Sequence, residues 1–143
     1  MIRQLHRNSD GSVAVETAIF TPIFLVMMLG ITDLGAGMFV RMQANAAAQA
    51  GATYAVLNSS TPVCTTLTST CLAGIEQAMN DASGNSSFCS SAVCTASIGE
   101  CADGSPKCII VTANYPYAPI LSDAVYSWAS TQNYSSTITL RIQ

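Results

Sequence analysis

One long apolar stretch dominates the hydrophobic pattern of this chain. Residues 12–32 contain a single charged side chain, that of Glu16. At about 1.5 Å per residue, a helix of this length spans roughly 31 Å, which matches the hydrocarbon core of a bilayer, about 30 Å. The rest of the chain is too polar to surround a helix that is apolar on every face. The pattern therefore predicts a transmembrane helix.

The helical pattern continues beyond the membrane to about Leu57. This stalk carries small residues that recur every four positions in two rows, Ala44, Ala48 and Ala52, and Ala47, Gly51 and Ala55. Rows of this kind let two helices approach closely. The sequence leaves open whether they pack inside a filament or against the chain's own outer domain. We predict one transmembrane and stalk helix over residues 12–57.

The chain changes character after residue 57, where Ser and Thr become frequent. All six cysteines lie in this part: Cys64, Cys71, Cys89, Cys94, Cys101 and Cys108. Six cysteines in a small outer domain with few apolar residues are typical of three disulfides. Sequence alone allows many connectivities, of which the pairing of neighbours is the simplest. Cys101–Cys108 is the best supported pair, because turn-forming residues lie between them.

Periodicity in residues 58–143 predicts a small domain that contains both helix and sheet. Apolar residues at helical spacing predict a helix over 72–81. β-Branched residues predict strands near 93–98, 107–115 and 136–142, which would form a short antiparallel sheet. Pro119 is expected to open a further helix that includes Trp128. The predicted fold class is α+β: a long N-terminal helix followed by a small disulfide-stabilised domain.

Aromatic residues are concentrated in the C-terminal third of the chain. They are Tyr115, Tyr117, Tyr126, Trp128 and Tyr134. A small domain needs large side chains for its core, but aromatic residues are also enriched at protein interfaces. Both interpretations stay open at this point.

Composition excludes several classes of function. Charged residues make up 9% of the chain and the net charge is −3, and the five Lys and Arg residues form no patch, which argues against nucleic-acid binding. The only histidine is His6, and the chain has no hydrolase, zinc-protease or phosphate-loop motif. The cysteines lack the C-x2-C spacing of zinc sites. We expect no enzyme, no cofactor and no metal, with the lipid bilayer as one partner.

The charges that flank the apolar stretch predict its orientation. Arg3, His6 and Arg7 precede it, whereas Asp33 follows it directly. Positive residues favour the cytoplasmic side of a membrane. The N-terminus is therefore expected in the cytoplasm and the C-terminal domain outside.

A glycine and a carboxylate stand at the head of the apolar stretch. A charged side chain in a membrane helix costs up to about 2.5–3.5 kcal/mol, so Glu16 needs a partner. Cleavage after Gly11 would give Ser12 a new ammonium group on the same helical face as Glu16. The two groups could pair within one chain or between neighbouring subunits.

Gly11 and Glu16, behind a basic leader and before a long apolar helix, resemble the processing signal of type IV pilins and pseudopilins. The wider sequence is similar to the TadE-like pseudopilins of the tight-adherence (Flp) pilus system. The similar segments are residues 21–24, 30–35, 46–52, 111–117 and 138–140. Thr17 stands where the family's motif usually has an aromatic residue.

The resemblance implies a minor pilin or pseudopilin, a non-enzymatic component in assembly of a type IV pilus. Residues 1–11 would be a leader that a prepilin peptidase removes between Gly11 and Ser12, and Glu16 would set register during assembly. Expected partners are the peptidase, other pilins and the assembly platform. The expected location is the inner membrane in a single pass, with a periplasmic domain and later incorporation into an extracellular pilus. The alternative is an uncleaved, permanently anchored binding or adhesion module.

Overall fold

A single long helix is followed by a small domain built from two shorter helices and a three-stranded sheet in the part of the chain that the structure describes. The computed structural model describes residues 10–59, 64, 66–91, 93–101, 104, 107–119 and 131–142. Its elements are α1 (Asp10–Leu57), α2 (Ser69–Ser83), α3 (Phe88–Ser91), β1 (Val93–Gly99), β2 (Cys108–Tyr117) and β3 (Gln132–Arg141). The predicted α+β architecture is confirmed.

Helix α1 is continuous over 48 residues, a length of about 72 Å. Its apolar side chains are exposed from Val13 to Leu29, and Pro22 lies within the helix without ending it. Among the described residues, this is the one helix long and apolar enough to cross a membrane. It ends at Leu57, where the sequence pattern places its end.

Helix α2 begins three residues before the predicted start at Leu72. The reason is an N-cap: the backbone N–H of Cys71 donates to the hydroxyl of Thr68, 3.2 Å away. At the other end, Gly84 adopts a left-handed conformation with φ of 70°, and its N–H donates to the carbonyl of Asp81. Glycine suits this position because it has no Cβ to clash.

The sheet is antiparallel with strand order β1-β2-β3. Strand β3 starts at Gln132, four residues earlier than predicted, because Gln132 pairs with Tyr117 at the end of β2. The residues at the start of β3 have little intrinsic strand preference, so pairing with the neighbouring strand decides their conformation. The helix expected after Pro119 falls on residues 120–130, which lie outside the described residues.

The core lies between α1 and the outer domain, on the small-residue face of the helix. The residues of the two predicted rows are all buried: Ala44, Ala47, Ala48, Gly51, Ala52 and Ala55. Ile75 and Met79 from α2, and Ile109 and Val111 from β2, pack in the same cluster. The face therefore packs against the chain's own domain, which is one of the two alternatives that the sequence left open.

Two glycines allow α1 and α2 to approach closely. A Cβ built on Gly51 would stand 2.7 Å from Cγ of Met79, closer than real Cβ atoms come to other atoms. A Cβ built on Gly74 would overlap the phenol of Tyr54. Each helix thus contributes a gap that a large side chain of the other helix fills.

The structure joins the cysteines as three disulfides between neighbours in sequence. The pairs are Cys64–Cys71, Cys89–Cys94 and Cys101–Cys108, with Cα atoms 5.2, 5.4 and 5.2 Å apart. They fix the start of α2, join α3 to β1, and join the residues after β1 to the start of β2. Each bridge therefore holds one connection of a domain whose core is small.

The close approach of α1 and α2 predicts that an added methyl group at Gly74 is destabilising. Gly74→Ala should lower the free energy of unfolding of the outer domain by about 1–3 kcal/mol, since the added methyl group overfills the space that Tyr54 occupies. Thermal unfolding of the full chain in detergent, followed by near-ultraviolet circular dichroism, measures the loss.

Gly35→Ala is the matched control, because a Cβ there meets no atom within 4 Å. It should leave stability unchanged or raise it by up to about 1 kcal/mol through helix propensity. Equal behaviour of the two variants would contradict the proposed close packing.

Candidate functional site: the helix surface and its junction with the outer domain

The predicted cleavage position lies in the first turn of α1. The helix begins at Asp10, so the peptide bond between Gly11 and Ser12 follows directly. Glu16 lies one turn further on, exposed on the apolar surface beside Val13 and Phe20. Among the described residues, no hydrogen-bond or ion-pair partner of Glu16 is present. Cleavage and the register role of Glu16 remain predictions.

The hydroxyl groups within the apolar part of α1 are satisfied by its own backbone. Thr17 donates to the carbonyl of Val13 at 2.8 Å, and Thr21 donates to the carbonyl of Thr17 at 2.7 Å. Hydrocarbon offers no hydrogen-bond partner, so a polar side chain there must find one in the protein. This part of the helix surface is therefore compatible with a single-pass membrane anchor.

The outer domain meets the helix at the residue where the apolar stretch ends. The hydroxyl of Tyr117 donates to Oδ1 of Asp33 at 2.6 Å and lies 3.2 Å from the backbone carbonyl of the same residue. Asp33 belongs to α1, and Tyr117 is the last residue of β2. The hydrogen bond to Asp33, burial and the negative charge of Asp33 raise the pKa of Tyr117 to about 12. The end of the sheet is thus attached to the residue of α1 at which the apolar stretch ends.

A second tyrosine reinforces this junction one turn further along α1. The ring centroid of Tyr134 lies 6.1 Å from that of Tyr117. Gly37 faces this pair, and a Cβ on it would stand 2.9 Å from the hydroxyl of Tyr134. Further up, the hydroxyl of Ser136 donates to Oδ1 of Asn45 at 3.0 Å. Strand β3 therefore follows α1 from Gly37 to Asn45.

Sequence reasoning did not identify Asp33 and Tyr117 as partners. They are 84 residues apart, and no local pattern links them. One signal was present, since a carboxylate at the end of an apolar stretch needs a hydrogen-bond partner and tyrosines were available. The described tyrosines Tyr115, Tyr117 and Tyr134 all make contacts within the chain, with Tyr115 stacked on Phe88. Tyr126 and Trp128 lie outside the described residues.

Groups that could perform chemistry are not brought together in the described ranges. No cluster of three or more His, Cys, Asp or Glu side chains with metal-binding geometry occurs there. The six cysteines are consumed in disulfides. The features of this chain that suggest a function are therefore the surface of α1 and its junction with the sheet.

Comparison with known families identifies the helical part of the chain. Residues 11–53 match the model of the family described as TadE-like protein. The match begins at Gly11 and covers both the exposed apolar surface and the buried small-residue face of α1. No curated protein and no solved structure matches this chain.

The TadE-like match confirms the resemblance predicted from the sequence. The match covers 43 of the 143 residues. The match ends within α1, so the outer domain is characterised by the structure alone.

The junction between Asp33 and Tyr117 predicts a pH dependence. An unfolded tyrosine has an ordinary pKa of about 10, and the folded value is higher. The junction's contribution to stability should therefore be complete below about pH 10 and be lost as pH rises from about 10 to 12. Spectrophotometric titration of the phenols should show one late-titrating tyrosine, which Tyr117→Phe removes.

Asp33→Asn is the control that separates charge from geometry. An amide oxygen can still accept the hydrogen bond, but it carries no negative charge. The late-titrating phenol should return toward the ordinary pKa of tyrosine in this variant. If that phenol titrates as late as in the unaltered chain, the negative charge of Asp33 does not contribute to the raised pKa of Tyr117.

Proposed function

We propose that this chain is a minor pilin or pseudopilin that takes part in assembly of a tight-adherence pilus. The observation that carries the proposal is the match of residues 11–53 to the TadE-like family, with Gly11 at its start and Glu16 inside an uninterrupted apolar helix. A prepilin peptidase would cut between Gly11 and Ser12. The mature chain would begin one turn before Glu16.

Glu16 is the residue proposed to guide assembly. Its carboxylate is exposed on an apolar helix surface, a costly position in a bilayer. Cleavage creates an ammonium group on Ser12, and a neighbouring subunit can present that group to Glu16. An ion pair formed away from bulk water is favourable when both charges are close and otherwise unpaired. Glu16 would thereby select the position of each incoming subunit.

The outer domain is proposed to travel with the helix as one body. Its core is the small-residue face of α1, and Tyr117 attaches the sheet at Asp33. Extraction of the helix from the membrane therefore carries the domain without requiring it to unfold. The proposed orientation has the N-terminus in the cytoplasm and the domain in the periplasm, as the flanking charges predict.

The cleavage step is tested by intact-mass spectrometry of the full chain made with and without a prepilin peptidase. We expect a peptidase-dependent loss of residues 1–11, and Gly11→Ala should abolish it. The same spectra before and after reduction count the disulfides, since each reduced bridge gains two hydrogens. A leader that stays on under every condition would refute the pilin pathway and favour a permanently anchored binding module.

The role of Glu16 is tested separately from cleavage. Glu16→Gln keeps the size of the side chain but removes its charge, so cleavage should continue while incorporation into sheared pili is lost. Thr17→Val is the matched control, because it removes a hydroxyl from the adjacent position without changing charge. Normal incorporation of the Glu16→Gln protein would show that the carboxylate does not guide assembly.

A further inference from the structure

A groove of about 290 Å³ lies between α1 and β3. It is lined by Arg41, Met42 and Asn45 of the helix and by Ser135 and Ser136 of the strand. The hydroxyl of Ser136 donates to Oδ1 of Asn45 at 3.0 Å, which joins the two walls. The groove is therefore formed by two elements that the fold holds together.

The polar side chains of this groove offer mainly hydrogen-bond donors. Because Oδ1 of Asn45 accepts from Ser136, the amide nitrogen of Asn45 keeps two N–H donors for another molecule. The hydroxyl of Ser135 can donate as well, and the guanidinium of Arg41 carries five N–H groups. No carboxylate lines the groove. Such a set of donors around a permanent positive charge suits an oxyanion.

Arg41 supplies the positive charge of the groove. Its side chain is exposed, and its guanidinium has no ion-pair partner in the part of the chain that the structure describes. The chain has eight acidic and five basic side chains, yet none of the acids lines this groove. The planar guanidinium binds two phosphate oxygens at once, which makes arginine a common phosphate ligand. Arg41 is therefore available to an anion from outside the chain.

The position of the groove along α1 favours phosphate over other oxyanions. Arg41 follows Asp33 by eight residues, a distance of about 12 Å along the helix. The headgroup layer extends about 5–7 Å beyond the hydrocarbon core on each side. Side chains of a helix tilt toward its N-terminus, and the long side chain of arginine reaches toward headgroups. With Asp33 at the edge of the hydrocarbon core, the guanidinium lies within reach of lipid phosphates.

We propose that the groove between α1 and β3 is a phosphate-binding site. Arg41 supplies the charge, Asn45 and Ser135 supply further donors, and Met42 forms an apolar wall. The same groups would bind the phosphate of a lipid headgroup or a free phosphate ion. A bound headgroup would hold helix and strand at a fixed depth relative to the membrane surface. The site does not require cleavage of the leader, so it stands independently of the proposed function.

The first measurement titrates inorganic phosphate into the full chain in a maltoside detergent, followed by the backbone amide NMR signals. We expect saturable shifts at Asn45, Ser135 and Ser136. Arg41→Gln should weaken phosphate binding at least about tenfold, because charge-assisted hydrogen bonds are lost. Arg141→Gln is the matched control, since Arg141 is an exposed arginine at the end of β3 that does not line the groove. Asn45→Asp keeps the size of the side chain but adds a negative charge, so it should abolish binding.

The second measurement identifies the source of the phosphate. The full chain, labelled at arginine, is reconstituted in phosphatidylcholine nanodiscs in a buffer without phosphate. Solid-state NMR then detects dipolar contacts between lipid phosphorus and the arginine guanidinium groups. We expect one contact that disappears in Arg41→Gln and persists in Arg141→Gln. This contact identifies the lipid headgroup as the source, whereas shifts in the phosphate titration without it identify a free phosphate ion. Either result supports the site.

Other results would overturn the proposal. Absence of both signals, or phosphate shifts that are equally strong in Arg41→Gln, would show that the groove is not the site. Acetate that binds as tightly as phosphate would assign the groove to a carboxylate of a protein partner instead. Near-ultraviolet circular dichroism verifies that each variant keeps its outer domain folded. Gly11→Ala should bind phosphate normally, which separates this site from the pilin pathway.

Discussion

The close approach between the small-residue face of α1 and the outer domain is the interaction on which the rest of this structure depends. The domain has few large apolar residues of its own, and its core is completed by Ala47, Ala48 and Ala52 of the helix. Alanine and glycine provide little area themselves, but they let Ile75 and Met79 lie close to the helix backbone. Dispersion contacts require this proximity, since a small gap already forfeits much of the attraction. The disulfides then hold the connections that such a small core would leave loose.

This packing also determines which surfaces of the helix remain for other molecules. A small-residue face cannot serve the chain's own domain and a neighbouring helix at the same time. Because the domain occupies it, any contact between subunits along the stalk must use the remaining circumference of α1. The membrane part has no such restriction, since its apolar side chains are exposed in every direction. Among the described residues, the surface of α1 is therefore uncovered on all sides before Asp33 and on part of its circumference after Asp33.

Much of this architecture follows from local pattern. The length of the apolar stretch predicts the anchor, and the spacing of Ala44, Ala48 and Ala52 predicts a face of close packing. Which part of the molecule covers that face depends on contacts between residues far apart in sequence. The spacing of residues within α1 does not predict those contacts. The hydrogen bond between Asp33 and Tyr117 is beyond sequence reasoning for the same reason, as is the early start of β3. The pairing of neighbouring cysteines can be predicted from the sequence, because short loops bring the partners together whatever the rest of the fold is.

The two carboxylates at the ends of the apolar stretch differ in whether the chain provides a hydrogen-bond partner. Asp33 has a partner in its own domain, so it remains satisfied wherever the helix and domain move together. Glu16 has none among the described residues, and the hydrocarbon core of a bilayer supplies none either. A charge that is costly in the membrane and can be paired between subunits favours assembly over the isolated anchor. The proposed pilin therefore has one acid that attaches domain to helix and another that draws subunits together. The first attaches the domain to the helix, and the second is proposed to favour contact between subunits over the isolated anchor.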